Sequence, residues 1–224
     1  MALLELRNVW FKYPGMEQYV LKNLSLKLEK GLIYLITGPN GAGKTTLTLV
    51  AAGLLKPEKG EVIFRGRPLY EQLPEARRYF GILFQNPEAM LFNPTVFDEV
   101  AYGLRQILSD PNEVYERVKE TIGRVGLSSK YLSRYVHSLS YGEKKLVAFA
   151  SIISYDPEIL LLDEPFTNLS EEYREKILRI LLKMRDSGKS VLIVGHIADV
   201  PTKYVDAAFY LNKGHLEPLN IETL

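Results

Sequence analysis

The sequence predicts an α/β fold: a largely parallel sheet, preceded by an antiparallel β layer and interrupted by a helical segment. Two runs, ILLL at 159–162 and VLIV at 191–194, are entirely apolar. Such runs are typical of strands that lie buried on both faces of a parallel sheet covered by helices. The N-terminal part mostly alternates between apolar and polar residues, which is the period of a strand, whereas between about 87 and 155 the apolar residues recur at helical spacing.

Strands of the N-terminal part are identified by alternation, by apolar runs and by glycine boundaries. The segment 23–31 alternates strictly, 32–37 is a short apolar run, and 60–66 begins and ends with glycine. On these grounds we predict strands at 3–13, 23–31, 32–37, 60–66 and 78–85.

Helices and strands alternate in the rest of the chain. Asp110-Pro111 is a typical helix start, and Gly126 is a typical stop. Between them, four apolar residues recur at helical spacing: Val114, Val118, Ile122 and Val125. Further helices are predicted at 97–108, from Ser140 to about Tyr155, and at 170–188. Strands are predicted at 158–164 and 190–196, with a last strand at 207–212.

Composition excludes several classes of protein. The chain has 224 residues, a formal net charge of +1 and no cysteine, so disulfides, cysteine-ligated metals and thiol catalysis are excluded. The near-neutral charge gives no general attraction to nucleic acid. The longest stretch without Asp, Glu, Lys or Arg covers only 31–43, too short for a membrane-spanning helix. Glu5 and Arg7 interrupt the apolar start, so no signal peptide is expected.

A glycine-rich segment at 38–45 fits the phosphate-loop pattern G-x-x-x-x-G-K-[ST], and it lies between the predicted strand at 32–37 and a helix-like segment at 45–55. Glycines let backbone N–H groups converge on phosphate oxygens, and the helix N-terminus adds partial positive charge. Lys44 would reach the β- and γ-phosphates, Thr45 would ligate Mg²⁺, and Thr46 would contact the α-phosphate. The other loop residues predicted to bind nucleotide are Gly38, Pro39, Asn40, Gly41, Ala42 and Gly43. The alternative is an ordinary glycine-rich turn.

Two acidic residues, Asp163 and Glu164, end the apolar run that starts at Ile159. At the carboxyl end of a parallel strand they would lie beside the phosphate loop, because open α/β sheets bind ligands at that edge. Asp163 suits the Mg²⁺ shell, and Glu164 could polarise an attacking water. The alternative is a strand end capped by solvated acids. A GTP site of the N-K-x-D type lacks support, since Asn212-Lys213 is followed by Gly214-His215.

A third motif, Leu139-Ser140-Tyr141-Gly142-Glu143, lies between the two phosphate motifs at a predicted helix start. With Gln85 and His196, this set resembles the ATPase subunits of ATP-binding cassette (ABC) transporters over nearly the whole chain. The segment 84–104 is most similar to the ATPases of energy-coupling-factor and cobalt/nickel importers. The resemblance implies a P-loop NTPase (RecA-like) core at 1–86 and 156–224, with a helical subdomain at about 87–155.

The resemblance also implies roles for single residues. Tyr13 would stack on adenine, and Gln85 would sense Mg²⁺ and the γ-phosphate. Ser140 and Gly142 would contact the ATP held by the opposite subunit. The catalytic set would be Glu164 as general base, His196 as a switch at the γ-phosphate, Lys44 and Gln85. Without the family argument, Tyr13 is a core or surface aromatic, Gln85 a solvated strand end, and His196 a hydrogen-bonded structural group.

The chain departs from the usual signature LSGGQ at Tyr141 and Glu143, and Leu146 stands where arginine is usual. Ser140 and Glu143 also fit a helix capping box. A carboxylate about 10 Å from an incoming phosphate would oppose ATP-driven closure by on the order of 1 kcal/mol. The segment 166–170 ends in Ser170, where the family usually has aspartate. A serine can still cap the helix that follows.

The predicted function is therefore an ATP-hydrolysing subunit of a membrane transporter that dimerises around two Mg-ATP. It would drive uptake of a small solute, of the vitamin or metal-ion type, through separate membrane subunits. The expected partners are a second ABC ATPase, identical or different, a transmembrane coupling subunit and a substrate-binding membrane subunit, with no nucleic acid. The expected location is peripheral, on the cytoplasmic face of the membrane. The alternative is a slowly hydrolysing nucleotide-binding partner in an asymmetric heterodimer.

Overall fold

A computed structural model describes residues 2–221 of the chain. These residues form two compact units. The first comprises the chain up to Ile82, Glu158–Pro165 and the residues from Met184 onward; the second comprises Leu83–Pro157 and Phe166–Lys183. The second unit thus contains the segment 87–155 together with 166–183, which the sequence placed in the core. The division into domains at 87 and 155 stays a prediction.

The first unit carries an antiparallel sheet near its N-terminus, as predicted. Its spatial order is β2-β1-β4-β5, and all of its strand pairs are antiparallel. The strands are β1 (Ala2–Phe11), β2 (Leu21–Glu29), β4 (Lys59–Phe64) and β5 (Arg67–Pro68). Burial alternates along β2, which is the strict apolar and polar alternation of its sequence.

A second sheet of six strands has the order β10-β9-β3-β8-β7-β6. Its strands are β3 (Ile33–Thr37), β6 (Phe80–Leu83), β7 (Ile159–Asp163), β8 (Ser190–Val194), β9 (Ala207–Asn212) and β10 (His215–Leu219). The pairs β9–β3, β3–β8 and β8–β7 are parallel. Every residue of β3, β7 and β8 is buried, so the predicted α/β fold class is confirmed.

The prediction that 207–212 is the last strand was wrong. After Asn212 the chain turns through Lys213 and Gly214, whose φ angles are +47° and +85°. Two consecutive residues with positive φ are the requirement of a tight hairpin turn that matches strand twist. His215 then pairs with Asn212, and β10 runs antiparallel to β9. The weak alternation of HLEPL, which contains a proline, concealed this edge strand.

Five helices complete the described fold: α1 (Lys44–Ala51), α2 (Val96–Leu104), α3 (Pro111–Arg124), α4 (Tyr141–Ile153) and α5 (Glu171–Asp186). In α3 the side chain of Asp110 accepts a hydrogen bond from Asn112 N at 2.9 Å. The four apolar residues named above are buried, three within α3 and Val125 as its C-cap. Gly126 has a φ of +81°, so the predicted helix is confirmed. Within residues 2–221, none of these helices is long and apolar enough to cross a membrane.

Candidate functional site

The phosphate-loop segment joins the end of β3 to the start of α1 in the first unit. Gly38 begins it where the chain passes very close to β9. A Cβ at this position would lie 2.0 Å from the carbonyl oxygen of Leu211, so only glycine fits. At the other end, Gly43 is the N-cap of α1, and within the described chain no side chain caps this helix. The side chains of the described residues therefore leave the first N–H groups of α1 uncapped.

Lys44 is folded back onto its own loop. Its ammonium donates hydrogen bonds to the carbonyl oxygens of Gly38, at 2.9 Å, and Pro39, at 3.0 Å. The residue is 7% exposed, and a buried ammonium needs such acceptors because burial disfavours its charge. The positive charge is consequently held within the loop.

Thr45 and Asp163, taken from distant parts of the sequence, meet in the first unit. The hydroxyl of Thr45 donates to the Oδ2 atom of Asp163 at 2.6 Å. Asp163 ends β7 and is 3% exposed. Hydroxyl and carboxylate oxygens are ligands that Mg²⁺ accepts, usually together with phosphate oxygens. Among residues 2–221 no three acidic or histidine side chains cluster as a metal site.

Glu164, the next residue, has a left-handed backbone with φ at +47°. Its N–H donates to the carbonyl of Val194 at 2.7 Å, which anchors the turn to β8. A left-handed φ is costly for a residue with a Cβ, and such residues cluster at functional sites. The Oε1 atom of Glu164 lies 3.8 Å from Nε2 of His196. This distance exceeds a hydrogen bond, although it would bring both side chains within reach of one small ligand.

Tyr13 contacts the helix that follows the phosphate loop. Its phenol oxygen lies 3.1 Å from the hydroxyl of Thr46, within hydrogen-bond distance. Its ring packs edge-on against Phe11, with centroids 5.0 Å apart. Tyr13, predicted to stack on adenine, is therefore in contact with Thr46, predicted to contact the α-phosphate.

The signature segment begins α4 in the second unit, and its capping box is confirmed. The hydroxyl of Ser140 accepts from Glu143 N at 3.4 Å, while Ser140 N donates to the Oε2 atom of Glu143 at 2.8 Å. The second carboxylate oxygen, Oε1, accepts from the phenol of Tyr131 at 2.6 Å. The Tyr131 hydrogen bond is the main reason that the pKa of Glu143 is lowered. The same bond raises the pKa of Tyr131.

Two further tyrosines surround this turn. The phenol of Tyr141 donates to the backbone carbonyl of Gln85 at 3.2 Å. The ring of Tyr173, on α5, covers Gly142 so closely that a Cβ there would lie 2.6 Å from two ring carbons. Downstream, the carbonyl of Ser170 accepts from the N–H groups of Tyr173 and Arg174, each at 3.0 Å, at the start of α5.

The described contacts group the predicted site residues into sets. In the first unit, Thr45 meets Asp163, and Glu164 lies near His196. In the second unit, Gln85 contacts the helix that carries the signature. Three tyrosines were missed as site residues: Tyr131, Tyr141 as a hydrogen-bond donor, and Tyr173. No local spacing could have found Tyr131 or Tyr173, because each contacts the signature turn only through the fold.

Comparison with known proteins identifies the family. The family model of the ABC transporter matches residues 21–167. The chain belongs to the ABC transporter family. An energy-coupling factor transporter ATP-binding protein, EcfA, of Methanothermobacter thermautotrophicus is 42% identical over 96% of this chain and 69% of its own length. The EcfA protein of Methanocaldococcus jannaschii is 37% identical over 96% of this chain and 78% of its own length.

Solved structures of ABC proteins have the same fold. The cbiO1 protein of Clostridium perfringens, described as part of the ABC transporter complex cbiONQ, superposes with a TM-score of 0.86 at 28% identity, over 99% of this chain and 90% of its own. The dimeric MJ0796 cassette bound to ADP and Pi gives a TM-score of 0.88 at 28% identity, over 97% of this chain and 99% of its own. The predicted class of protein, an ABC ATPase most similar to the energy-coupling-factor type, is confirmed.

Proposed function

We propose that this ABC ATPase binds two Mg-ATP between two ATPase subunits and hydrolyses them to drive uptake of a small solute through separate membrane subunits. The observation that carries the proposal is the contact between Thr45 and Asp163 at 2.6 Å. It joins a helix start suited to phosphate with a strand end suited to Mg²⁺. Glu164, with its left-handed φ, immediately follows that strand end.

The residues of the first unit divide the work between binding and chemistry. The loop N–H groups and Lys44 would bind the β- and γ-phosphates, Thr46 the α-phosphate, and Tyr13 the adenine. Mg²⁺ held by Thr45 and Asp163 would neutralise charge on the phosphate oxygens, and Gln85, which belongs to the second unit, keeps its predicted role of sensing Mg²⁺ and the γ-phosphate. Glu164 would orient the attacking water and accept its proton, and His196 would contact the γ-phosphate. Lys44 would stabilise the charge that develops as the bond to the γ-phosphate breaks.

The signature turn of the second unit would serve the opposite subunit. Ser140 and Gly142 lie at the N-terminus of α4, where backbone N–H groups favour an anion. The dimeric MJ0796 cassette supports a paired arrangement. The partner is either a second copy or a different ATPase chain, and Glu143 favours the asymmetric alternative because its carboxylate already occupies Ser140 N–H. A hydrolysis rate that rises only when a second ATPase chain is added would select the heterodimer.

A group of exposed aromatic residues in the second unit supports attachment to a membrane partner. Phe92, Tyr102 and Tyr135 are 67%, 51% and 58% exposed. Near them lies a cavity of about 400 Å³ lined by Leu91, Phe92, Asn93, Pro94, Val136, His137, Glu88 and Lys144. The rings of Phe92 and Tyr102 are in contact, with centroids 4.9 Å apart, and clustered exposed apolar residues can mark interaction surfaces. We propose that this surface binds the transmembrane coupling subunit. The ATPase would then lie at the cytoplasmic face of the membrane, and the transported solute would be a vitamin or a metal ion.

Replacement of Glu164 by glutamine tests the proposed chemistry. The amide cannot accept the proton of the attacking water, so turnover should fall by roughly 10²–10⁴ while ATP binding persists. Phosphate release measures turnover, and titration with a fluorescent ATP analogue measures binding. Glu120→Gln removes an exposed carboxylate from α3 and is the matched control. Unchanged turnover in Glu164→Gln would rule out Glu164 as the base.

A further inference from the structure

Tyr141 has a contact that the usual glycine of the signature could not make. Its phenol donates to the backbone carbonyl of Gln85 at 3.2 Å, across 56 positions of sequence. The acceptor is main chain, so the bond fixes the path of the chain at Gln85 and leaves the Gln85 side chain out of this contact. Tyr141 is also the first residue of α4. The position of the signature turn is therefore linked to the position of the segment that begins at Gln85.

A second contact runs parallel to the first. The ammonium of Lys144 lies 2.5 Å from the Oε1 atom of Glu88. Residues 141 and 144 are neighbours on one face of a helix because they are three positions apart, and their partners, Gln85 and Glu88, are also three apart. The side chain of Lys144 is 15% exposed and that of Glu88 is 58% exposed, so solvent partly screens this ion pair. Two contacts in the same direction prevent the segment 85–88 from pivoting about either one.

Lys145, a buried residue, contacts the ring of Tyr141. Its ammonium lies 5.9 Å from the centre of the Tyr141 ring, within the range of a cation–π contact. It also donates to the carbonyl of Thr167 at 3.4 Å, and the residue is 0% exposed. The segment containing Thr167 follows the end of β7, where Asp163 and Glu164 lie. Tyr141 thus lies between the chain at Gln85 and a buried lysine that contacts the chain at Thr167.

We propose that Tyr141 is a positioning residue that couples the 85–88 segment and the chain at Thr167 to the signature turn. This inference rests on the proposed function, which assigns Gln85 to one nucleotide and Ser140 to the other. With Tyr141 in place, a shift of Gln85 moves the N-terminus of α4 with it. A glycine at this position would remove the bond from the phenol to the Gln85 carbonyl and keep the ion pair between Lys144 and Glu88. In this proposal Tyr141 acts through Gln85 and α4, and no contact with the reacting atoms is assigned to it.

The test is the steady-state hydrolysis of Mg-ATP by the full chain. Tyr141→Phe removes the hydrogen bond and keeps the ring near Lys145. We expect kcat to fall about fivefold with KM unchanged, because the lost hydrogen bond would act after ATP has bound. Tyr141→Gly should lower kcat at least as far. Tyr115→Phe removes an exposed phenol from α3 in the same unit and should leave both constants unchanged. Circular dichroism melting of each variant shows whether it is folded at the assay temperature.

Charge exchange provides an independent arm. Lys144→Glu alone places two carboxylates together and should lower kcat, whereas Lys144→Glu combined with Glu88→Lys should restore it. Folded Tyr141→Phe with the kcat of the original chain would overturn the inference, as would a change confined to KM or a failure of the charge exchange to rescue. An original chain without ATP binding or turnover would instead refute the proposed function, so the two failures are distinguishable.

Discussion

The phosphate loop and the signature turn are both helix N-termini, yet their hydrogen-bond donors are used differently. At α1 the N-cap is Gly43, and the described residues supply no side-chain cap. At α4 the cap is complete, because Ser140 and Glu143 bond each other's backbone and Tyr131 holds the remaining carboxylate oxygen. Under the proposed function, a phosphate would bind directly at α1, whereas at α4 it would compete with a carboxylate. Of these two turns, one is thus an open candidate anion site and the other is occupied by its own side chain.

The largest expected effect concerns the open site and comes from Lys44→Met. This change keeps the length of the side chain and removes the charge that two loop carbonyls now hold. In the proposed function Lys44 binds the β- and γ-phosphates, and a charge-assisted hydrogen bond contributes about 1.5–3 kcal/mol. Loss of the ammonium should therefore lower ATP affinity roughly 10²-fold. Isothermal titration calorimetry with Mg-ATP measures this change.

Lys119→Met, on the exposed face of α3, serves as its control and should bind ATP as the original chain does. If Lys44→Met bound ATP with unchanged affinity, the assignment of the loop as the phosphate site would fail.

An intermediate effect is expected at the occupied site from Gly142→Ala. The new Cβ would lie 2.6 Å from two carbons of the Tyr173 ring, and overpacking of this kind costs about 1–3 kcal/mol of unfolding free energy. Truncation of the ring in the double variant Gly142→Ala, Tyr173→Ala should remove that clash. Urea unfolding of the single and double variants measures the coupling between the two positions.

Gly123→Ala is a matched control because α3 offers open space at that position. There alanine should stabilise the helix by up to about 1 kcal/mol. Destabilisation of the same size at 123 and 142 would show that contact with Tyr173 does not decide the effect.

The smallest effect is expected from Tyr131→Phe, which frees one oxygen of Glu143. The bond is partly exposed to solvent, so its loss should cost about 0.5–1 kcal/mol of unfolding free energy at neutral pH. Folding lowers the pKa of Glu143, so its contribution is complete above the ordinary pKa of about 4.3 and is lost as pH falls through the lowered value. Folding raises the pKa of Tyr131, so its contribution is complete below about 10 and is lost as pH rises through the raised value.

Urea unfolding at a series of pH values checks this profile. The difference between the original chain and Tyr131→Phe should be flat from about pH 5 to 9 and shrink toward either extreme. A difference that varies with pH inside that window would assign the effect to another titrating group.

Much of the fold follows from local patterns. The apolar runs at 159–162 and 191–194 are central strands because only a sheet covered on both faces can bury every residue of a strand. Asp110 and Pro111 start α3 because one supplies a cap and the other a preset φ. The meeting of Thr45 with Asp163 was also predictable, since both lie at the carboxyl edge of the same parallel sheet.

Other features depend on tertiary contacts that no sequence period encodes. Tyr131 reaches Glu143 across 12 positions, between two different helical turns, and Tyr173 reaches Gly142 from another helix. The chain has 14 tyrosines, and nothing local distinguishes these two from the rest. The capping box formed by Ser140 and Glu143 was predictable as a motif. The hydrogen bond from Tyr131 to the second carboxylate oxygen of Glu143 could be seen only in the folded structure.

The hairpin formed by β9 and β10 has a consequence for how copies of this chain can associate. Among the described strands, β10 is the outer one of its sheet, and exposed strand edges invite further strands to add by backbone pairing. Glu217 is the middle residue of that strand and adds charge, and Pro218 beside it has no N–H to donate. An incoming strand would find its hydrogen-bond ladder interrupted there. Growth of the sheet into fibres is thereby discouraged at this edge, and association is directed to surfaces made of side chains.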